Sequence, residues 1–230
     1  MTNATFLAID ASCAEGVVAL IRDQEGEPSA RNGPDQSDLS RGEATCPLIP
    51  FSGGRARDCA AAEAIAALCR KHPETSIDAV VVGIGPGSYN GLRSSLAAAW
   101  GFAFARNIPL AGVSSWLALA EGDFAVAGDA RQNQIAFARV SNGAFVAAPR
   151  IVSREEASRE IAALDTSFPP SPPVPLLCPA PCGFPGERQC APQPHLLVRV
   201  ALAQGISATP VFATMPEPMY LKPPHVTCSV

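Results

Sequence analysis

The chain has 230 residues and a formal net charge of −4, from 17 Lys and Arg against 21 Asp and Glu. A hydrophobic content of 47% is typical of a folded globular protein and excludes a disordered chain. Because no cluster of Lys and Arg forms a footprint for nucleic acid, we expect any RNA to be held by a partner.

The beginning of the sequence predicts a cytoplasmic protein. "MTNATFLAID" lacks the basic segment and the apolar core of a signal peptide. No apolar run reaches the ~18 residues that span a bilayer, so no membrane contact is expected. Cys13, Cys59 and Cys69 fall inside apolar strand or helix patterns, where a free thiol packs as a small hydrophobic group. This use of cysteine favours a reducing compartment.

The first elements in chain order are two strands and a helix. Thr5–Asp10 and Gly16–Ile21 are short β-type runs around a polar turn, which predicts an antiparallel hairpin. Residues 22–54 are charged and poorly periodic, so we expect a long loop or one weak edge strand. Arg55–His72 is rich in alanine, with acidic residues early and basic ones late, and predicts a helix.

A strand, a glycine loop, a second helix and another strand follow. "AVVVGI" predicts a buried strand, "GIGPGSYNG" a turn, Leu92–Arg106 a helix and "IPLAGV" a strand, an order that indicates an α/β sheet with a parallel pair. The loop lacks the ending of a P-loop. We expect its glycines to permit positive φ and the close approach of protein backbone, with Ser88 or Asn90 capping the helix.

The second helix is apolar on all sides, which indicates burial on more than one face. Leu96, Trp100 and Phe104 form a large apolar stripe, and a second stripe consists of the small residues Ser94, Ala98, Gly101 and Ala105. Two interpretations of the small stripe stay open: it packs against the helix Arg55–His72 of the same chain, or against a second subunit.

The second half contains a proline-rich segment. A strand pair after Asp129 leads to a helix that begins near Ser153, and Pro194–Gln204 predicts a last helix. Pro169–Pro194 holds ten prolines in 26 residues, so we expect an irregular excursion without a central strand. Cys178, Cys182 and Cys190 lie in it, near His195. Their spacing is looser than the paired C-x₂-C of zinc sites, so unpaired thiols are expected and no metal.

Four blocks of the sequence resemble one family. "FLAIDASCAEGVVALI", "IDAVVVGIGPGSYNGLRSSLAAAWGFAFARNIPLAGVSSWLALA", "GDARQNQIAFARV" and "PMYLKPP" resemble, in order, the TsaB (YeaZ, glycoprotease-like) proteins of bacterial threonylcarbamoyladenosine tRNA modification. The family typically shows GPGSFTGLR where this chain has "GPGSYNGLR". The likeness is strong from Thr5 to about Val140 and rests chiefly on "YLK" beyond that.

The resemblance implies a fold and a role. The fold would be the α/β actin/Hsp70/sugar-kinase-like (ASKHA) fold, with residues 1–110 as the first lobe, carrying the partner-binding helices, and residues 111–230 as a smaller, divergent second lobe. The function would be that of a non-catalytic partner of a TsaD-like threonylcarbamoyltransferase that modifies adenosine 37 of tRNA. ATP and a metal are expected in that partner and no cofactor in this chain. A TsaE-like ATPase is a further candidate partner, tRNA would be reached only through the complex, and the chain alone would form a homodimer.

The resemblance also suggests site residues. No catalytic residue is expected. The predicted partner-binding residues lie on the first two helices: Ala62, Ile65, Ala66, Cys69, Leu92, Ser95, Ala99, Phe102 and Arg106. Positions of a degenerate nucleotide site are Asp10, Ser12, Gly85, Gly87, Ser88, Asp129 and Arg131. A double change, Ala66→Glu with Ala99→Glu, is predicted to abolish pairing and leave the monomer folded.

Three other activities fit the residues less well. A TsaD-type metal site needs two histidines four apart on a helix, and the matching helix offers only His72 at its exit. An ASKHA-type small-molecule kinase, the main alternative, would want glycine and hydroxyl residues after Asp10, where "ASCAEG" supplies Ser12 alone. Asp10 and Asp129 are expected to cap turns. A peptidase with Ser88 as nucleophile lacks a histidine in any matching block.

Overall fold

The protein is described here by a computed structural model. It describes residues 4–23, 47–52, 59–164, 174–205 and 215–222. Predictions that concern residues 24–46, 53–58 or 169–173, or His225, lie outside the described residues.

A five-stranded sheet opens the fold. Its strands are β1 (Thr5–Asp10), β2 (Glu15–Arg22), β3 (Leu48–Ser52), β4 (Ala79–Gly83) and β5 (Leu110–Val113), in the order β3-β2-β1-β4-β5. β1 is antiparallel to β2 and parallel to β4, which is parallel to β5. The predicted hairpin and parallel pair are therefore confirmed, and the weak edge strand exists as β3.

Two helices of the first half share one core with this sheet. α1 (Ala60–Lys71) and α2 (Tyr89–Arg106) bury Ile65, Leu68, Leu96 and Ala99 together with β-strand residues such as Val80. α2 begins three residues before the predicted Leu92, because the Ser88 side chain accepts a hydrogen bond from Gly91 N at 3.4 Å and ends the preceding loop.

A second sheet has a similar plan. β6 (Phe124–Asp129), β7 (Gln134–Ser141), β8 (Ala144–Phe145), β9 (Arg150–Ser153), β10 (Leu176–Cys178) and β11 (Arg188–Gln189) follow, with α3 (Arg154–Leu164) and α4 (Pro194–Ala203). Its path is β11-β10-β6-β7-β8, and β9 also pairs with β7. As in the first sheet, one strand, β6, is antiparallel to the next strand and parallel to a later one, β10.

The prediction of an irregular proline-rich excursion is wrong at β10. Leu176–Cys178 has a neighbouring strand on both sides, β6 and β11. The strand is possible because Pro175 and Pro179 flank it and none of its three residues is a proline, so its N–H groups remain available. Leu176 and Cys178 are buried in the core of the second sheet.

α4 belongs by its contacts to the first sheet. Leu196, Leu197, Val198 and Ala201 of α4 are buried with Phe6 and other residues of the sheet. The helix therefore covers one face of the sheet, and α1 and α2 cover the other. A short 3-10 helix, Ser115–Ala118, joins the two halves: it contacts α4, and Trp116 is buried with residues of the second sheet. In the described parts, no helix is both long and apolar enough to cross a membrane.

Candidate functional site

The end of β1 and the glycine loop meet at the Asp10 carboxylate, which is only 2% exposed. Asp10 Oδ1 accepts hydrogen bonds from Ser12 N at 2.8 Å and Ser12 Oγ at 2.7 Å, and Oδ2 accepts one from Ser115 Oγ at 2.6 Å. Burial raises the pKa of Asp10, and the hydrogen bonds from Ser115 and Ser12 oppose that rise. Asp10 thus caps its own turn, as predicted, and also ties that turn to the 3-10 helix.

Ser115 completes this network and is a residue that sequence reasoning missed. Its Oγ also accepts a hydrogen bond from Gly85 N at 3.1 Å, and Ser114 Oγ donates to Gly85 O at 2.8 Å. The loop and the 3-10 helix are thereby held together at both polar groups of Gly85. The only sequence signal is the "VSSW" stretch, which belongs to a block that carries the family resemblance.

The glycines of the loop have two different functions. Gly85 has φ +96, as the prediction of positive φ requires. Gly87 does not; instead, a Cβ there would lie 2.3 Å from Ser12 O, and Ser88 N donates to the same oxygen at 3.0 Å. The backbone that approaches the loop is therefore the chain's own first hairpin. A Cβ on Gly83 would lie 1.8 Å from Asp10 Oδ2, so a glycine is needed beneath the carboxylate as well.

Cys13 follows Ser12 in the same turn. Its thiol is largely buried, and burial together with the Asp10 charge raises its pKa to about 11. A thiol with so high a pKa is a poor nucleophile at neutral pH. The Ser12 donors of this turn already bond Asp10, the acid is buried and the thiol is unreactive. The turn is therefore poorly suited to binding a phosphate group.

The turn after β6 holds the other two predicted nucleotide-site residues. Asp129 Oδ1 accepts a hydrogen bond from Arg131 N at 2.8 Å, so Asp129 also caps a turn, as predicted. Arg131, Gln132 and Asn133 all have positive φ, at 65, 55 and 58. The unusual turn is closed by Lys222, whose Nζ donates to Ala130 O at 2.5 Å. This lysine belongs to the "YLK" block near the end of the chain.

The predicted partner-binding residues divide into two groups. Ala62, Ala66 and Arg106 are exposed, and Cys69 and Phe102 are half-buried. Ile65, Leu92, Ser95 and Ala99 are at most 4% exposed and face the chain's own core. The reason is that α2 is apolar on every side, so its periodicity gave no indication of which side meets the sheet. Ala99→Glu would therefore bury a charge and unfold the monomer, contrary to the prediction for the double variant.

An exposed surface remains on the two helices, and we call it the α1–α2 face. It consists of Ala62 and Ala66 on α1 and of Ala97, Gly101, Phe104 and Ala105 on α2. Phe104 is 55% exposed and stacks on Trp100 with ring centroids 5.2 Å apart. Among the described residues, nothing lies within 4 Å of a Cβ built on Gly101. The small stripe is therefore not covered by α1 at Gly101, which rules out the single-chain interpretation at that position.

Comparisons with known proteins show which family model, sequences and folds this chain is similar to. Residues 60–162 match the family model described as "TsaD: tRNA N6-adenosine threonylcarbamoyltransferase". The chain is 39% identical over 97 residues to an uncharacterized protein of Mycobacterium leprae (strain TN), a match that covers 41% of this chain and 25% of that protein. An uncharacterized protein of Mycobacterium tuberculosis (strain ATCC 25618 / H37Rv) is 40% identical over 78 residues, covering 33% of this chain and 37% of the relative. The chain thus matches about a quarter to two fifths of these relatives' length.

Two solved structures from Pseudomonas aeruginosa have the same fold over nearly the whole chain. A protein described as similar to peptidase YeaZ superposes with a TM-score of 0.63 at 19% identity, covering 95% of this chain and 100% of that one. YeaZ itself gives a TM-score of 0.57 at 18% identity, covering 91% and 99%. At sequence identities this low, the likeness shows a shared fold only.

The two sheets and their helices define a mixed α/β protein with an ASKHA-like fold, as the family resemblance implied. Residues 60–162 match the TsaD family model, and the fold of the whole chain is similar to that of YeaZ.

Proposed function

We propose that this protein is a non-catalytic partner subunit in the modification of tRNA to threonylcarbamoyladenosine. Its proposed partner is a TsaD-like transferase in the cytoplasm, which binds ATP and metal, contacts tRNA and modifies adenosine 37. The support comes from the match of residues 60–162 to the TsaD family model and from the YeaZ fold. The net charge of −4 is consistent with tRNA being held by the partner.

The observation that carries the proposal is the α1–α2 face. All six of its residues, five small ones and Phe104, lie within the segment 60–162 that matches the family model. Small residues let a second helix approach closely, and Gly101 leaves room for one. With 55% of Phe104 exposed, burying the rest of the ring removes roughly 100 Å² from water. At about 25 cal/mol per Å² this contributes about 2–3 kcal/mol to association.

The same face offers a homodimer contact when the partner is absent, because an exposed apolar helix face associates with a matching surface. The kinase alternative lacks support of this kind. The Asp10 oxygens already accept three hydrogen bonds from within the chain, and the Asp129 oxygen caps the turn at Arg131. A nucleotide-bound cation would compete with those bonds for the carboxylate oxygens.

Gly101→Glu tests the face without disturbing the core, since no atom of the parts that the structure describes lies within 4 Å of a Cβ at that position. We expect the purified chain to form a mixed complex with the TsaD-like protein of its organism, as measured by light scattering, and the Gly101→Glu variant to remain separate. Phe104→Ala should weaken the complex by about 30- to 150-fold, from the 2–3 kcal/mol above.

Val146→Glu is the matched control. Val146 is 62% exposed and follows β8 at the other sheet, so the same charge is added to an apolar exposed position away from the α1–α2 face. It should pair as the wild type does. A Gly101→Glu variant that co-elutes with the partner as strongly as Val146→Glu would refute the assigned face. If the wild-type chain forms no complex with the TsaD-like protein in light scattering, the proposed function is refuted.

A further inference from the structure

Two thiols and a carboxylate converge in the proline-rich segment. The Sγ atoms of Cys178 and Cys182 and a carboxylate oxygen of Glu187 all lie within 4.8 Å of one another. Cys178 Sγ is 3.7 Å from Glu187 Oε2. Both cysteines are buried and Glu187 is half-buried. Their loose C-x₃-C spacing favoured unpaired thiols, but the turn between β10 and β11 brings the three donors together.

The backbone holds these donors in place. Cys178 ends β10 and is paired with Gln189 of β11. Glu187 Oε1 accepts a hydrogen bond from Cys182 N at 3.1 Å, and Oε2 accepts one from Phe184 N at 3.0 Å. The carboxylate therefore fixes the turn that carries Cys182, and no large rearrangement is needed to bring the three side chains onto one ion.

We propose that Cys178, Cys182 and Glu187 bind a zinc ion, with the fourth position taken by water. Soft thiolates beside a carboxylate suit Zn²⁺ better than Mg²⁺ or Ca²⁺, which prefer oxygen ligands alone. With Zn–S near 2.3 Å and Zn–O near 2.1 Å, tetrahedral ligands lie about 3.6 Å apart for S and O and about 3.8 Å apart for two S atoms. The Cys178–Glu187 distance of 3.7 Å already fits the first value.

The charges around the site are suited to a divalent cation. Binding releases one proton from each thiol to solvent, so two thiolates and one carboxylate face the ion. The ion offsets two of these three negative charges. Arg154, whose Nη1 donates to Cys182 O at 2.9 Å and whose guanidinium lies 5.1 Å from the centre of the Phe184 ring, supplies a further positive charge beside the turn. The ion would cross-link the turn from Cys178 to Glu187, which has little regular structure.

Titration of the full chain with Zn²⁺ against a chromophoric chelator tests the site, after a phosphine reductant has brought all eight cysteines to free thiols. We expect one equivalent to bind and the melting temperature to rise. Cys178→Ser with Cys182→Ser should lose that equivalent. The matched control, Cys59→Ser with Cys69→Ser, removes as many thiols from α1 and its approach and should keep it. Glu187→Gln should weaken binding by at least about tenfold.

A second measurement needs no variant. Zn²⁺ should slow alkylation of Cys178 and Cys182 in the unaltered chain, located by peptide mass mapping, and should leave Cys59 unaffected. A fully reduced chain that takes up no Zn²⁺, or a Cys178→Ser/Cys182→Ser variant that keeps the bound equivalent, would overturn the proposal. Equal alkylation of the two cysteines with and without Zn²⁺ would overturn it too, and would leave Glu187 as a turn cap only.

Discussion

Gly83→Ala is expected to destabilise the protein strongly, although it adds only one methyl group. The new Cβ would lie 1.8 Å from Asp10 Oδ2 and 2.6 Å from Ser115 Oγ, distances that force the carboxylate to move. The 2.6 Å hydrogen bond between Ser115 and Asp10 would then be lost. A lost hydrogen bond to a carboxylate costs about 1.5–3 kcal/mol and overpacking a further 1–3 kcal/mol. We therefore expect a loss of about 3–5 kcal/mol in the free energy of unfolding.

Thermal unfolding at a fixed protein concentration measures this loss. For a chain of this size each kcal/mol shifts the melting temperature by about 2–4 °C, so a fall of about 6–20 °C is expected. Gly101→Ala on α2 is the control, since its Cβ would have no described residue within 4 Å. Removing a glycine from a helix should stabilise the protein by about 0.5–1 kcal/mol. The two glycines should thus respond with opposite signs.

The Asp10→Ala background shows whether the clash is the cause. It removes two of the three nearest atoms, Asp10 Oδ2 at 1.8 Å and Cγ at 2.8 Å, and the third, Ser115 Oγ, can rotate away. Gly83→Ala should then cost less than about 1 kcal/mol, a coupling of about 2 kcal/mol or more between the two sites. An equal cost in both backgrounds, or no cost in the wild type, would refute the reasoning.

Three further predictions concern the same region. Burial raises the pKa of Asp10 above its usual 3.8, so the contribution of Asp10 to stability is complete below pH 3.8 and declines as the pH rises through the raised pKa. In unfolding experiments at several pH values, the free energy of unfolding of Asp10→Asn should therefore increase relative to that of the wild type across this window. A difference that stays constant with pH would contradict this. Burial raises the pKa of Cys13 and Cys190 to about 11 each, so both should be alkylated later than the exposed Cys59 at about pH 8, as mass mapping would show. Ser88→Ala should cost about 0.5–1 kcal/mol in urea unfolding, at the low end for an N-cap because the bond is long at 3.4 Å, and an unchanged unfolding free energy would contradict the cap.

Local sequence patterns predicted most helices and strands of the first half, because each of these elements has a pattern within a few neighbouring residues. The apolar runs of β1 and β2 flank a polar turn, and alanine with a favourable charge order marks α1. The close approach of backbone to the glycine loop was predicted, but Gly87 was expected to have a positive φ, which it lacks. The approaching atom, Ser12 O, lies 75 positions away and could not be named. Ser115 is 105 positions from Asp10, and a hydrogen bond of that span has no signature in the sequence.

The failures have the same physical origin. Leu92, Ser95 and Ala99 were assigned to a partner, although all three are already buried within the chain, because a helix that is apolar all round does not specify its inner side. β10 was missed because its three residues lie in a segment with ten prolines, which predicts irregular structure. Its pairing with β6 depends on residues about 50 positions earlier in the sequence. In both cases a long-range contact decided between local alternatives that the sequence left equal.

The Asp10 network also bears on the choice between a partner subunit and a kinase. Asp10 is only 2% exposed, and three hydrogen bonds from Ser12 and Ser115 occupy about three of the four lone-pair positions of its carboxylate. A cation held by both oxygens would compete with these bonds, and the loss of one such bond costs about 1.5–3 kcal/mol. The bond from Ser115 also joins β1 to the 3-10 helix, so its loss would weaken the fold as well. The Asp10 carboxylate is thus committed to structure, which favours the partner role over a kinase.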